Sequence, residues 1–163
     1  MVDSTSNTPP AILNNDLSYF HGCHFLVDDN IKENYGAHIT MWDVNGIELL
    51  GNVFENTQNL NQSHEMAIYT LDASYIMDDY SGPNSDSKVT GFYEGIRSDA
   101  FNLGLKGSPI SIKNTEFDKN EISIHLSNMQ FPRIISNQLL IGKKETPDLG
   151  VGFCYYSLGS YLD

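Results

Sequence analysis

Gly95-Ile96-Arg97-Ser98 lies in the middle part of a 163-residue chain and has four counterparts. They are His38-Ile39-Thr40-Met41, Ala67-Ile68-Tyr69-Thr70, Ser123-Ile124-His125-Leu126 and Gly152-Phe153-Cys154-Tyr155. The second residue of each is large and apolar, and Ile39, Ile68, Ile96, Ile124 and Phe153 are separated by 29, 28, 28 and 29 positions. A repeat at such a period signals a unit that buries its apolar face only against its neighbours.

A second element follows within the period. Ile47-Glu48-Leu49-Leu50-Gly51-Asn52-Val53-Phe54, Ile110-Ser111-Ile112-Lys113-Asn114-Thr115-Glu116-Phe117 and Arg133-Ile134-Ile135-Ser136-Asn137-Gln138-Leu139 share one grammar: apolar alternation, then Asn, then Phe or Leu. Asn tolerates left-handed backbone, so it suits a corner between two strands. Stacked corner Asn side chains are expected to bond one another as an Asn ladder. Helix signals are poor, because no stretch keeps apolar residues at i, i+3, i+4 and i+7 beyond about two turns. Leucine-rich repeats lack their L-x-x-L-x-L consensus here. A β-sandwich would not repeat itself at 28.

The spacing therefore predicts an all-β fold, a right-handed parallel β-helix (β-solenoid) of five to six coils of 27–29 residues. Residues 1–10 are expected to form a flexible N-terminal segment. Residues 11–163 are expected to form a single β-helix domain, a piece of a longer protein. The polar tracts Asp28–Tyr35, Thr57–Glu65, Tyr80–Lys88 and Gly142–Leu149 read as loops thrown out of the coils.

Charge removes some functions. Nine Lys+Arg stand against 21 Asp+Glu, a net charge of -12, and no basic cluster exists to release counterions from a nucleic acid. No apolar run approaches the roughly 18 residues of a membrane helix, so no membrane span is expected. Cys23 and Cys154 are expected to remain free thiols, since they fall in coils far apart along the solenoid and a disulfide needs Cα atoms within about 7 Å.

Searching for chemistry leaves few candidates. The adjacent pairs Asp28-Asp29 and Asp78-Asp79 read as solvated loop acids. Asp72 and Asp99 occupy similar places in consecutive coils and are expected either to face one groove or to cap corners. His21-x-x-His24 lacks a third ligand, so no metal is expected. No phosphate loop or nucleophile elbow occurs, and no cofactor is expected. One constellation follows from the repeat. With the second residue of each segment inward, alternation puts the third and fifth outward: Thr40/Trp42, Tyr69/Leu71, Arg97/Asp99, His125/Ser127 and Cys154/Tyr156. In that set Trp42, Tyr69, Arg97, Asp99, His125 and Tyr156 make an aromatic and polar stripe suited to stacking and hydrogen-bonding sugar rings.

The order FHGCHF (20–25), GIELLGNVFEN (46–56), AIYTLDASY (67–75), GFYEGIRSDAFN (91–102), a corner Asn with Phe, IG (141–142) and GFCYYSLGSY (152–161) resembles the parallel β-helix modules of large exported surface proteins of Bacteroidetes, typical cargo of type IX secretion. The resemblance implies an extracellular or cell-surface location and brings no catalytic residues. The resulting expectation is a non-catalytic structural or adhesin-like module contacting polysaccharide or cell-surface glycan. End-to-end self-association or continuation into further coils is also expected. The alternative is a polysaccharide lyase or glycoside hydrolase of pectate-lyase-like type, using Arg97, Asp99 and Asp72.

Overall fold

The computed structural model describes residues 18–30, 36–58, 66–80, 86–101, 109–129, 132–141 and 151–156. Their strands fall into successive rungs of three. The first rung is β1 (Tyr19–His21), β2 (His24–Val27) and β3 (Ala37–Trp42). The second is β4 (Ile47–Leu50), β5 (Val53–Asn56) and β6 (Met66–Leu71), and the third is β7 (Tyr75–Asp78), β8 (Ser87–Thr90) and β9 (Glu94–Asp99). The fourth is β10 (Ile110–Lys113), β11 (Thr115–Asn120) and β12 (Ile122–Ser127), and the fifth is β13 (Arg133–Ile135), β14 (Gln138–Ile141) and β15 (Val151–Tyr156). Like strands stack in parallel as three five-stranded sheets: β1-β4-β7-β10-β13, β2-β5-β8-β11-β14 and β3-β6-β9-β12-β15. This is a parallel β-solenoid. Its described strands make four rung-to-rung steps, short of the five to six coils expected from dividing the whole chain by the period. The expected flexible segment 1–10 and most of the expected loops lie outside the described residues. Ser87 and Lys88, assigned to a loop by sequence, instead begin β8.

The repeat places one apolar column on each sheet. Phe20, Leu49, Met77, Ile112 and Ile134 are in register on the first sheet. On the second, the column is Phe25, Phe54, Val89, Phe117 and Leu139. On the third it is the predicted set Ile39, Ile68, Ile96, Ile124 and Phe153. The middle three members of every column are fully buried. Phe153 is the exception to the predicted column, being 43% exposed, because no described strand stacks beyond β15.

Corners use left-handed backbone. Gly22, Gly51, Asn114 and Ser136 turn the first sheet into the second, and Asp43, Asp72 and Asn128 leave the third. Asn side chains brace these turns differently from the expected ladder. Asn52 Nδ2 donates to the Phe20 carbonyl while its Oδ1 accepts from Cys23 N–H. Asn120 does the same to Val89 and Phe92, and Asn137 to Ile112 and Thr115. Each Asn thus clamps a carbonyl and the N–H three residues later in the rung before it. Each bond contributes about 1 kcal/mol, and around Asn120, where both bonds are buried, losing either leaves a buried backbone group unpaired.

His38 is a titratable side chain held among core rings. Its imidazole lies 6.1 Å from Phe25, 6.3 Å from Phe54 and 5.5 Å from Phe92, and burial lowers its pKa below the usual 6.5. The unfolded chain therefore binds a proton at a pH where the folded chain does not. Stability from this residue is complete above about pH 6.5 and is lost as the pH falls below that value. Urea midpoints of the wild type and of His38→Leu should diverge as pH is lowered from 7.5 to 5, with the variant gaining relative to the wild type. Parallel curves would disprove the assignment.

Candidate functional site

The outer face of the third sheet is where the repeat gathers polar and aromatic side chains. Register sets Thr40, Tyr69, Arg97, His125 and Cys154 in one column and Trp42, Leu71, Asp99, Ser127 and Tyr156 in the next. These are the two columns expected from alternation. They are not uniformly open: Trp42 is 71% exposed, Leu71 is buried, and Tyr69, Arg97, Asp99 and His125 are half-buried. The Tyr156 side chain lies outside the described residues.

A third outward column was not anticipated. Met66, Glu94, Ile122 and Val151 are in register, and Glu94 is buried against its neighbours on this face. Strict alternation from Ile96 would have sent Glu94 inward. Gly95 breaks the alternation, because a Cβ there would meet Val89 Cγ1 at 3.2 Å and Phe117 Cδ1 at 3.3 Å, inside the core. Both Gly95 and Ile96 therefore face inward, and Glu94 faces out. A residue no larger than Ser precedes the apolar one in four of the five segments: Ala67, Gly95, Ser123 and Gly152. That is the mark of a doubled inward step, and it was readable in the sequence.

Glu94 organises the cluster. Its Oε1 lies 2.8 Å from His125 Nδ1, and its Oε2 lies 3.7 Å from Arg97 Nη1. Arg97 Nε in turn donates to Asp99 Oδ2 at 3.0 Å. An ionised carboxylate only accepts, so the His125 proton sits on Nδ1 and Nε2 is left for another partner. Burial pulls the Arg97 guanidinium down, but the Asp99 hydrogen bond and the charges of Asp99 and Glu94 outweigh it, and the net shift is upward. The Tyr69 phenol is raised by burial and by the Asp99 charge, against the opposing Arg97. The result is a guanidinium fixed between two carboxylates, with a phenol and an oriented imidazole beside it.

Asp72 does not join this cluster. Asp99 pairs in register with Leu71, so Asp72 falls one residue later, at a corner with φ of 49°. Its Oδ1 accepts from Phe101 N–H at 2.9 Å. It caps a turn, the second of the two roles expected for it. The adjacent acid pairs also serve backbone: Asp28 accepts from Asn30, and Asp78 and Asp79 accept from Asp79 and Ser87 amides. His21 and His24 part company, His21 on the first sheet beside Glu48 and His24 on the second beside Glu55. Among the described residues no group of three His, Cys, Asp or Glu is placed to hold a metal ion, and no helix is long and apolar enough to cross a membrane. Cys23 and Cys154 are free thiols in the first and fifth rungs.

No family model, curated protein or solved structure matches the chain.

Proposed function

We propose that this chain is a non-catalytic structural module of a secreted or cell-surface protein, adhesin-like, that contacts glycans through the outer face of its third sheet. The exported surface location rests on the sequence resemblance to Bacteroidetes type IX cargo. A structural column of this kind is extended by continuation into further coils or by association of chains end to end.

The observation that carries the glycan reading is the Glu94–His125–Arg97–Asp99 network with Tyr69 inside it and Trp42 exposed on the same face. Sugars offer apolar ring faces and many hydroxyls, and an aromatic beside pre-oriented donors and acceptors meets both. A rigid sheet holds these groups without an ordering cost on binding. The lyase alternative finds less support in the same atoms. An arginine acting as base for proton abstraction needs a pKa lowered toward the working pH, whereas Arg97 is held protonated by two carboxylates. Asp72, the third residue of that alternative, is tied to a backbone amide.

Trp42 is the only tryptophan, so its fluorescence reads the face directly. Titration with a panel of neutral and acidic oligosaccharides should shift its emission for at least one member. Trp42→Ala and Arg97→Ala should each weaken binding, read by calorimetry, at least tenfold, about 1.4 kcal/mol. Emission unchanged across the whole panel, with no heat of binding, would reject the reading.

A further inference from the structure

The first and fifth rungs, the outermost of the described residues, share a chemistry that the three between them lack. The strands of the second, third and fourth rungs carry Glu48, Glu55, Asp78, Glu94, Asp99, Glu116 and Asp118. The six strands of the first and fifth rungs carry no Asp or Glu at all, in a chain with 21 of them. The end rungs also leave core residues uncovered. Phe20 is 40% exposed and Phe153 43%, while Phe25, Ile134 and Leu139 are half-buried. Among the described residues nothing pairs with the outer edges of β1, β2 and β3 or of β13, β14 and β15.

We propose that these ends dock on each other, the fifth rung of one copy on the first rung of the next, so that chains assemble head to tail and continue all three sheets. This deepens the end-to-end association of the proposed function and rests on that part of it, while the glycan contact can fail or hold independently.

The registers say what would meet. Arg133 ends the column that Tyr19 begins, so its guanidinium falls over a phenol ring, a cation–π contact. Ile134 falls on Phe20, Leu139 on Phe25, Leu140 on Leu26 and Phe153 on Ile39, which extends every apolar column by one step. Gln138 falls on His24. Between the strands that would meet, no acid faces an acid across the joint. An unpaired parallel edge is a template for another strand, and here three edges are offered in one cross-section whose spacing the partner already has. Because the two surfaces are different, the contact is heterologous and does not close, so it builds a column rather than a dimer. The net charge of -12 opposes assembly at a distance and is screened beyond about 8–10 Å at ordinary salt.

Sedimentation velocity on the full chain tests this at rising concentration, in 50 mM and 500 mM salt. The wild type should form a ladder of elongated oligomers, shifted upward by salt. Phe20→Lys blocks the first rung and Phe153→Lys the fifth, so each variant alone should be monomeric. Mixed, they should give a one-to-one heterodimer and nothing larger, through the intact end of each. Circular dichroism checks that both remain β-folded, and Leu26→Lys with Leu140→Lys, at exposed positions, replaces either one that does not. A wild type that stays monomeric at high concentration and salt overturns the proposal. So does a Phe20→Lys chain that still dimerises, or a mixture of variants that stays monomeric while the wild type assembles.

Discussion

Gly91→Ala should lower the stability of the chain by about 3–5 kcal/mol, although the change adds one methyl group. Gly91 has φ of 84°, and a Cβ built on it would stand 2.2 Å from the Asn56 carbonyl oxygen of the rung below. The left-handed backbone by itself costs a side chain about 1–2 kcal/mol. Lys119, the residue after the register partner of Thr90, holds φ of 55° at the matching corner one rung on, so the fold bears that part of the cost elsewhere. The remainder comes from the contact. Asn56 is buried at the end of β5, and Gly91 N–H donates to the Asp118 carbonyl of the next rung. Moving the corner to make room strains the joints on both sides, each hydrogen bond contributing about 1 kcal/mol. Gly22→Ala is the control, because φ is 62° there and nothing lies within 4 Å of the added carbon. It should cost no more than the backbone term. Urea unfolding of both variants separates the two contributions; equal losses would show that the Asn56 contact does not matter.

The architecture was legible because the solenoid imposes its period on the sequence. The interval between Ile39, Ile68, Ile96, Ile124 and Phe153 stays near 28 because each one holds a single long tract between strands, 57–65, 79–86, 100–109 and 142–150, of similar length though at different corners. Asn52 and Asn137 were legible as corners but not as clamps. Their type reports tolerance of tight turns, while the partner is a backbone carbonyl and amide that every sequence has. Glu94 was hidden by the assumption of strict alternation, which fails where Gly95 and Ile96 both turn inward. With Glu94 lost, the orientation of His125 and the fixing of Arg97 were lost too, so the stripe could be read as a composition and not as a network. Asp72 and Asp99 looked equivalent because they follow Ile68 and Ile96 by four and three residues. A one-residue difference at a corner moves a side chain from the sheet face to the turn. The end rungs show the opposite case. Their lack of acids is plain in the sequence, yet it has meaning only once the topology makes those six strands the two faces of a stack.

Ile96→Ala should cost about 2–5 kcal/mol, from the lost transfer energy and the cavity left behind. Ile96 is fully buried in the third rung and stacks in register between Ile68 and Ile124, themselves fully buried. The site collapses poorly because its neighbours are fixed from two directions. Along the axis, the parallel ladders of β6 and β12 hold the rungs at a spacing of about 4.8 Å that the backbone sets and a missing methyl cannot shorten. Across the axis, Phe117 and Val89 of the second sheet are already in contact distance of the neighbouring Gly95 backbone position. An unrelaxed cavity is the costly kind, which places the expectation in the upper half of the range. The same truncation at the end of the column separates burial from strand propensity. Phe153→Ala removes a larger side chain, but one that is 43% exposed with nothing described above it, and should cost well under half as much despite its size. Guanidinium unfolding of the two variants gives the comparison at unchanged m-value. If Phe153→Ala proved the more damaging, the apolar column would be anchored at its end and not at its centre, and the stacking of Ile68, Ile96 and Ile124 would not be what holds the rungs together.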